Sequence, residues 1–335
     1  MSVTVLLDEL KRVVEPALRA SVEAIADEQM RLIAGYQLGW NDEFGNATDA
    51  GGKAIRPALA VLSAQAVTGS PDAGIAPAVA VELVHNFSLL HDDVMDRDIE
   101  RRHRKTGWVA FGEAQAILAG NAMLVRAVEV LLETGEAGAR SLPALLDATQ
   151  ILISGQSRDL LLEGRSSVEV DEVVEMEAGK TAALLACSSS IGALAAGADP
   201  ATVAALYTYG HELGIAFQLV DDILGVVGDP RRTGKSSSSD VRAGKRSAPI
   251  VAALTSGTAA GDRLTELLKD GPPTTEQDVA LATELIRDSG GLEWAGAQAD
   301  ARLAKALAAI AVLSLTDPAA AQLAAIADFI VNRDR

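Results

Sequence analysis

Apolar positions recur at intervals of three and four residues along nearly the whole chain, and no run of strict apolar/polar alternation is bounded by turn residues. That period predicts helices almost throughout, with strands absent or minor. Breakers fall at residues 41–52, 69–74, 97–107, 135–141, 164–167, 197–200, 229–244, 271–275 and 290–291. They cut the chain into about a dozen helices, expected in a single domain over residues 1–335. Helix starts are expected at Ser166 or Ser167, ahead of Glu169, and at Asp199 before Pro200.

Of the 335 residues 49% are hydrophobic but only 3% aromatic, so Ala, Leu and Val must build the core. Small side chains let helix backbones approach, which favours helix on helix. A net charge of −17 repels phosphate backbones and argues against a nucleic-acid partner. The same charge repels free diphosphates, unless bound cations and a local basic cluster reverse the field. The lone Cys187 excludes a disulfide framework and fits a reducing cytoplasm. The N-terminus carries Asp8 and Glu9 where a signal peptide would be basic and then apolar. The longest apolar run, near 306–315, is far shorter than the roughly 20 residues of a span, so none is expected.

Within the apolar segment 79–96, His85, Ser88, Asp92 and Asp96 recur at spacings of 3, 4 and 4, which on a helix form one stripe. A second helix repeats the arrangement with Gln218, Asp221 and Asp222 among Leu213, Ile215, Phe217, Leu219 and Val220. Carboxylates on otherwise buried helices are costly unless a cation neutralises them. Oxygen ligands without His or Cys spacing point to a hard ion, and Mg²⁺ fits because it keeps waters and bridges to phosphates. The plainer alternative, solvated helix ends, suits one Asp-Asp pair better than two in apolar helices. Lys180 interrupts the small-residue run 178–186, where a charge needs a partner. His85 reads either as a ligand-binding group or as a satisfied core histidine. The four serines 236–239, flanked by Lys235 and Asp240, suggest a lid over an anion.

These residues resemble the trans-polyprenyl diphosphate synthase family. His91-Asp92-Asp93-Val94-Met95-Asp96 with Arg101-Arg102 is similar to its first aspartate-rich motif and arginine pair. Gly51-Gly52-Lys53-Ala54-Ile55-Arg56-Pro57 resembles its isopentenyl-diphosphate motif. Gly155-Gln156 with Asp159, Gly179-Lys180-Thr181, Phe217 to Asp222, and Gly234-Lys235, Asp240 and Gly244-Lys245 follow in the family's order. The resemblance implies an all-α, isoprenoid-synthase-type bundle around a central cleft. It also implies a Mg²⁺-dependent enzyme that joins isopentenyl diphosphate head-to-tail to an allylic diphosphate (dimethylallyl, geranyl or farnesyl) and releases diphosphate.

Carried over residue by residue, the resemblance makes Asp92, Asp96 and Asp221 the ligands of about three Mg²⁺ ions, with Asp93 and Asp222 supporting them. Arg101, Lys180 and Lys235 would meet the allylic diphosphate, with Lys245 nearby. Lys53, Arg56, His85 and Arg102 would hold isopentenyl diphosphate. Thr181 and Gln218 would turn their oxygens to the allylic cation. A homodimer is the family's expectation. The chemistry agrees, since ionising an allylic C–O bond needs charge stabilisation at the leaving diphosphate and exclusion of water, not a protein nucleophile.

Three positions depart from the family's pattern. Gly225 stands where the second aspartate-rich motif usually has a third Asp, with Asp229 one turn further on. His103 and Lys105 replace a common Gly and Pro, and Asn121 a common Asp. Phe87 and Ser88, five and four residues before Asp92, resemble the ring-plus-small arrangement of a twenty-carbon, geranylgeranyl-type synthase; two rings would resemble a farnesyl producer. A class I terpene cyclase would use the same fold, but Gly225-Val226-Val227 lacks its metal triad and Lys53, Arg56 and Arg102 would have no use. A non-catalytic subunit would have no need of the carboxylate stripes.

Overall fold

The computed structural model describes residues 2–163, 165, 167–228, 238–316 and 318–332. The helices are α1 (Val3–Glu23), α2 (Glu28–Gln37), α3 (Ile55–Thr68), α4 (Asp72–Met95), α5 (Gly107–Phe111), α6 (Glu113–Leu132), α7 (Glu136–Glu163) and α8 (Val170–Glu177). They continue as α9 (Ala183–Ala195), α10 (Pro200–Val227), α11 (Ser239–Ala243), α12 (Ala248–Leu254), α13 (Ala259–Leu268), α14 (Glu276–Asp288), α15 (Gly291–Ala311) and α16 (Ala319–Asn332). Twelve of them are ten residues or longer, in agreement with the helical period of the sequence. Among the described residues the strands amount to β1 (Glu100–Arg101) and β2 (Arg104–Lys105), an antiparallel pair. The fold is all-α.

Local sequence explains the boundaries. In α1, Leu6, Leu7, Leu10, Val14, Leu18 and Val22 are buried at helical spacing, and the Ser2 hydroxyl accepts from Val5 N. Asp199 caps α10, accepting from Ala201 N at 2.9 Å and Thr202 N at 3.1 Å. The start expected at Ser166 or Ser167 falls later, because Glu169 caps α8. Its backbone N donates to Glu172 Oε2 at 3.0 Å while its own side chain takes the N–H of Glu172. A carboxylate does there what a hydroxyl usually does.

Contacts divide the chain into two compact units. The first comprises Met1–Thr149, Leu184–Gly210 and Ala309–Ile326. In it α4 packs against α3 and α6, and α1 lies on α3 and α4. The second comprises Gln150–Ala183, His211–Ala308 and Ala327–Arg335. Its core includes Val226, Val241, Ile250, Leu264, Val279, Leu285 and Ile286. Cutting the fully buried Leu264 to Ala would cost about 3 kcal/mol in lost burial and cavity.

Among the described residues two helices, α4 and α6, are long and apolar enough to cross a membrane by length and composition, which a count of consecutive apolar residues does not register. Most of α4 is buried in the protein, as befits a core helix. α6 instead leaves Leu118, Val125 and Leu132 exposed, seven residues apart on one stripe.

Candidate active site

In the first unit α4 carries its polar stripe out of the core. The paired aspartates divide. Asp92 is half-buried, whereas Asp93 is 1% exposed and turned inward. Asp93 Oδ1 accepts from Arg101 Nε and Nη2, both at 2.7 Å. Burial pushes the Asp93 carboxyl above its usual range, and the Arg101 guanidinium opposes that. Burial also works against the Arg101 charge, but Asp93, Asp98 and Asp92 outweigh it and raise the guanidinium's pKa. Asp96, the C-terminal cap of α4, lies one turn beyond Asp92, with its N–H on the Asp92 carbonyl at 2.8 Å.

The residues expected around isopentenyl diphosphate gather on the same unit. Arg56 Nη1 stands 3.3 Å from His85 Nε2. Burial, then the charges of Arg56, Arg102 and Arg101, holds His85 well below the ordinary histidine value. His85 is therefore neutral near pH 7, and because Arg only donates, its Nε2 must be the acceptor. The Arg102 guanidinium lies over Gly52, so close that a β-carbon there would stand 2.9 Å from Nη2. Lys53, next in the chain, is exposed.

Sequence reasoning missed Glu82. Burial raises its carboxyl, with Asn86, Arg56, Arg102 and Lys11 opposing, and Asn86 Nδ2 donates to it at 3.0 Å. An acid three residues before His85 in an apolar helix was the signal.

The two arginines reach their places through a tight hairpin. Arg102 and His103 both have positive φ, +53° and +60°, as a two-residue turn of this kind requires. His103 stands where the family commonly has Gly, and it accepts a backbone conformation that Gly takes freely. The hairpin is pinned from below. Arg104 donates to Tyr36 O at 3.2 Å and Asn41 O at 2.7 Å while its guanidinium covers the Tyr36 ring, and Tyr36 OH donates to Lys105 O at 2.6 Å. Asn121, the third departure, is exposed on α6.

Of the chain-length candidates, Ser88 is buried and its hydroxyl donates to His85 O at 2.8 Å. Phe87 is buried edge-on against His91, with ring centroids 4.9 Å apart. His91 Nε2 lies 3.0 Å from Ile117 O on α6, which braces that ring in turn.

In the second unit the aspartate pair divides in the same way. Asp221 is half-buried; Asp222 is buried. Asp222 Oδ2 accepts from Ala248 N at 2.9 Å and Oδ1 from Gln218 Nε2 at 2.8 Å, and Gln218 Oε1 accepts from Thr181 Oγ1 at 3.0 Å. The Gln218 amide is thus held in one orientation and the Thr181 hydroxyl proton is committed. Glu177, missed in the sequence, is buried beside Asp222. Burial first, then the Asp222 charge, pushes it well above the usual carboxylate range, and burial pushes Asp222 up to about 6. Asp222 has two N–H donors and Glu177 Oε2 has none among the described residues, so Glu177 keeps the proton.

A π-helical turn, Ala178–Ala182, presents Lys180 and Thr181; such turns recur at functional sites. Lys180 Nζ reaches Asp159 on α7 at 2.5 Å. Lys245 is exposed beyond α11, while Lys235 and Asp229 lie outside the described residues. Cys187 is buried, its thiol pushed up to about 12 by desolvation, and is inert packing.

Among the described residues no three His, Cys, Asp or Glu side chains form a metal cage by themselves. The carboxylates of Asp92 and Asp96 one turn apart nevertheless suit Mg²⁺, which borrows its remaining ligands from water and substrate phosphate.

The polyprenyl synthetase family model matches residues 41–286. The chain is 45% identical over 326 residues to a (2E,6E)-farnesyl diphosphate synthase of Mycobacterium tuberculosis, covering 96% of this chain and 90% of that one. It is 43% identical over 308 residues to a geranylgeranyl diphosphate synthase of the same organism, covering 91% and 88%. Among solved structures it superposes on a polyprenyl synthetase from Streptomyces coelicolor with a TM-score of 0.93, at 47% identity over 98% of this chain and 100% of that one. A geranylgeranyl pyrophosphate synthase from Corynebacterium glutamicum, complexed with isoprenyl diphosphate and magnesium, gives 0.85 at 29% identity, covering 99% and 100%. The chain belongs to the polyprenyl synthetase family, has its all-α isoprenoid-synthase fold, and is a trans-prenyl diphosphate synthase, an enzyme that transfers prenyl groups.

Proposed function

We propose that this enzyme, acting as one catalytic domain, condenses isopentenyl diphosphate with an allylic diphosphate to give the twenty-carbon geranylgeranyl diphosphate. Relatives making either product length match at 45% and 43%, so the choice rests on the residues themselves. The observation that carries it is the buried Phe87 ring beside the small, buried Ser88, with no insertion between Asp92 and Asp96. One ring leaves room for a longer chain than two rings would.

Asp92, Asp96 and Asp221 are assigned to about three Mg²⁺ ions, a reading supported by their half-exposed carboxylates and by the inward commitment of Asp93 and Asp222. Bound Mg²⁺ supplies Lewis acidity at the departing diphosphate. Arg101, Lys180, Lys235 and Lys245 bind the allylic diphosphate. Lys53, Arg56, His85 and Arg102 bind isopentenyl diphosphate, with neutral His85 positioning Arg56. Thr181 lends oxygen lone pairs to the allylic cation, its proton already given to Gln218. The exposed stripe Leu118, Val125 and Leu132 supports a homodimer, and the single, reduced cysteine supports a cytoplasmic enzyme.

The test offers isopentenyl diphosphate with five-, ten- and fifteen-carbon allylic diphosphates and measures product length. Twenty carbons from each starter is expected; termination at fifteen from the shorter two would replace this reading with a farnesyl synthase. Phe87→Ala should lengthen the product, and an unchanged distribution would remove Phe87 as the floor.

A further inference from the structure

Two carboxylates share one face of α4. Glu82 and Asp93 lie about three helical turns apart, and each answers one of two adjacent arginines. Asp93 Oδ1 accepts from Arg101 at 2.7 Å. Arg102 turns the other way. Burial lowers its pKa, and the foremost charge opposing that is Glu82, ahead of Asp93.

Three elements bring their cations to Glu82. Burial raises its carboxyl, and after the Asn86 hydrogen bond the charges of Arg56 on α3, Arg102 in the hairpin turn and Lys11 on α1 oppose this. Asn86 fixes the group, its Nδ2 donating to Glu82 Oε1 at 3.0 Å and to Glu82 O at 2.8 Å. The Gly51-Gly52 segment carries two of these cations against its main chain. A β-carbon on Gly51 would stand 3.3 Å from Lys11 Nζ, and one on Gly52 would stand 2.9 Å from Arg102 Nη2. Lys11, Gly51, Gly52, Ala54, Pro57 and Glu82 are among the residues lining one cavity. Without the Glu82 charge, cations from three elements would repel one another where water screens them poorly, and their long side chains would relax apart.

We propose that Glu82 is the shared counter-ion that holds Arg56 and Arg102 in place for the diphosphate of isopentenyl diphosphate, with Lys11 as a third cation of the same set. This rests on the reading of Arg56 and Arg102 as ligands of that substrate. Glu82 is a positioning residue. Donors fixed beforehand need not be ordered at the moment of binding. One carboxylate among three cations leaves the place net positive, so it holds them without turning the incoming anion away.

The test measures steady-state kinetics of the full chain with Mg²⁺, varying each substrate while the other is saturating. Glu82→Gln keeps the shape and the Asn86 contact but removes the charge. It should raise KM for isopentenyl diphosphate about tenfold, the scale of one lost charge-assisted hydrogen bond, while the allylic KM and kcat move less than about twofold. Glu82→Asp restores the charge and should bring KM back to within about threefold of the native value. Both KM values unmoved in E82Q, or both raised alike, with a lowered unfolding temperature, would overturn the proposal and leave Glu82 a packing residue. Arg102→Ala is the control. If it raises KM for isopentenyl diphosphate and E82Q does not, only the counter-ion fails; if it leaves that KM unmoved, the reading of Arg102 fails and the counter-ion with it. Should E82Q not fold, Asn86→Ala decides, because it releases the Glu82 carboxylate and keeps every charge. KM for isopentenyl diphosphate should then rise about threefold, and an unmoved value overturns the proposal.

Discussion

Lys180 Nζ and Asp159 are 2.5 Å apart, joining the π-helical turn to α7 within one unit. Both are about a quarter exposed, so the pair is neither sealed nor freely solvated. In the role proposed for Lys180, Asp159 presets it until a diphosphate competes. Lys180→Ala should lower kcat/KM for the allylic substrate by about 10²–10³-fold, the scale of one lost charge-stabilising donor. Asp159→Asn should cost about tenfold, as a supporting partner does. Equal losses would make the pair a purely structural clasp.

The two aspartates of the first motif should respond in opposite ways. Asp92→Ala should cut turnover by orders of magnitude while lowering metal-free stability far less than Asp93→Ala, because Asp92 is half-buried and is only one of three carboxylates whose charges favour Arg101. Asp93→Ala removes the inward partner of Arg101 and should cost about 2 kcal/mol of stability. Denaturant titrations and steady-state rates on both variants check this; the reverse pattern would exchange their roles.

Chelation should abolish turnover and added Mg²⁺ restore it, because at neutral pH the acidic stripes have no other means of accepting a diphosphate. Turnover that survives exhaustive EDTA treatment removes the metal argument.

His85 gives a pH prediction. Its folded pKa is depressed by burial and by Arg56, so below about pH 6.5 the unfolded chain takes a proton that the folded one refuses. Its contribution to stability is present above that pH and is lost as pH falls, by up to about 1.4 kcal/mol per unit. His85→Gln, which cannot titrate, should flatten the fall in unfolding temperature between pH 7 and 5.5. An identical fall in the variant would acquit His85.

Ser88→Phe adds a second ring beside Phe87 and should shorten the product to fifteen carbons. Gas chromatography of the dephosphorylated products reads the outcome; a twenty-carbon product would place the floor elsewhere.

Much of this was legible in the chain. The helical period, the Gly and Pro breaks and the carboxylate stripes all depend on neighbours within a few residues, and Asp199 capping α10 is of that kind. What escaped depends on distant partners. That Asp93 and Asp222 turn inward is decided by Arg101 and by the N–H of Ala248, 26 residues away in the latter case. Glu82 and Glu177 each look like one more acid until the cations or carboxylate around them are known. The hairpin at 100–105 was hidden because its turn uses Arg102 and His103 instead of the Asn-Gly that announces such turns. Gly155-Gln156 and Gly179-Lys180-Thr181 looked like two separate signatures. They are one contact.

At that contact a β-carbon on Gly155 would stand 2.2 Å from Lys180 N, and one on Gly179 would stand 3.1 Å from Gly155 Cα. Main chain rests on main chain, with only hydrogens between. The crossing has no side chain whose trimming could loosen it and no space in which a methyl could be added. Its spacing is consequently shielded from drift in the surrounding Ala, Leu and Val residues, which can exchange volume over evolutionary time without changing how far Lys180 reaches.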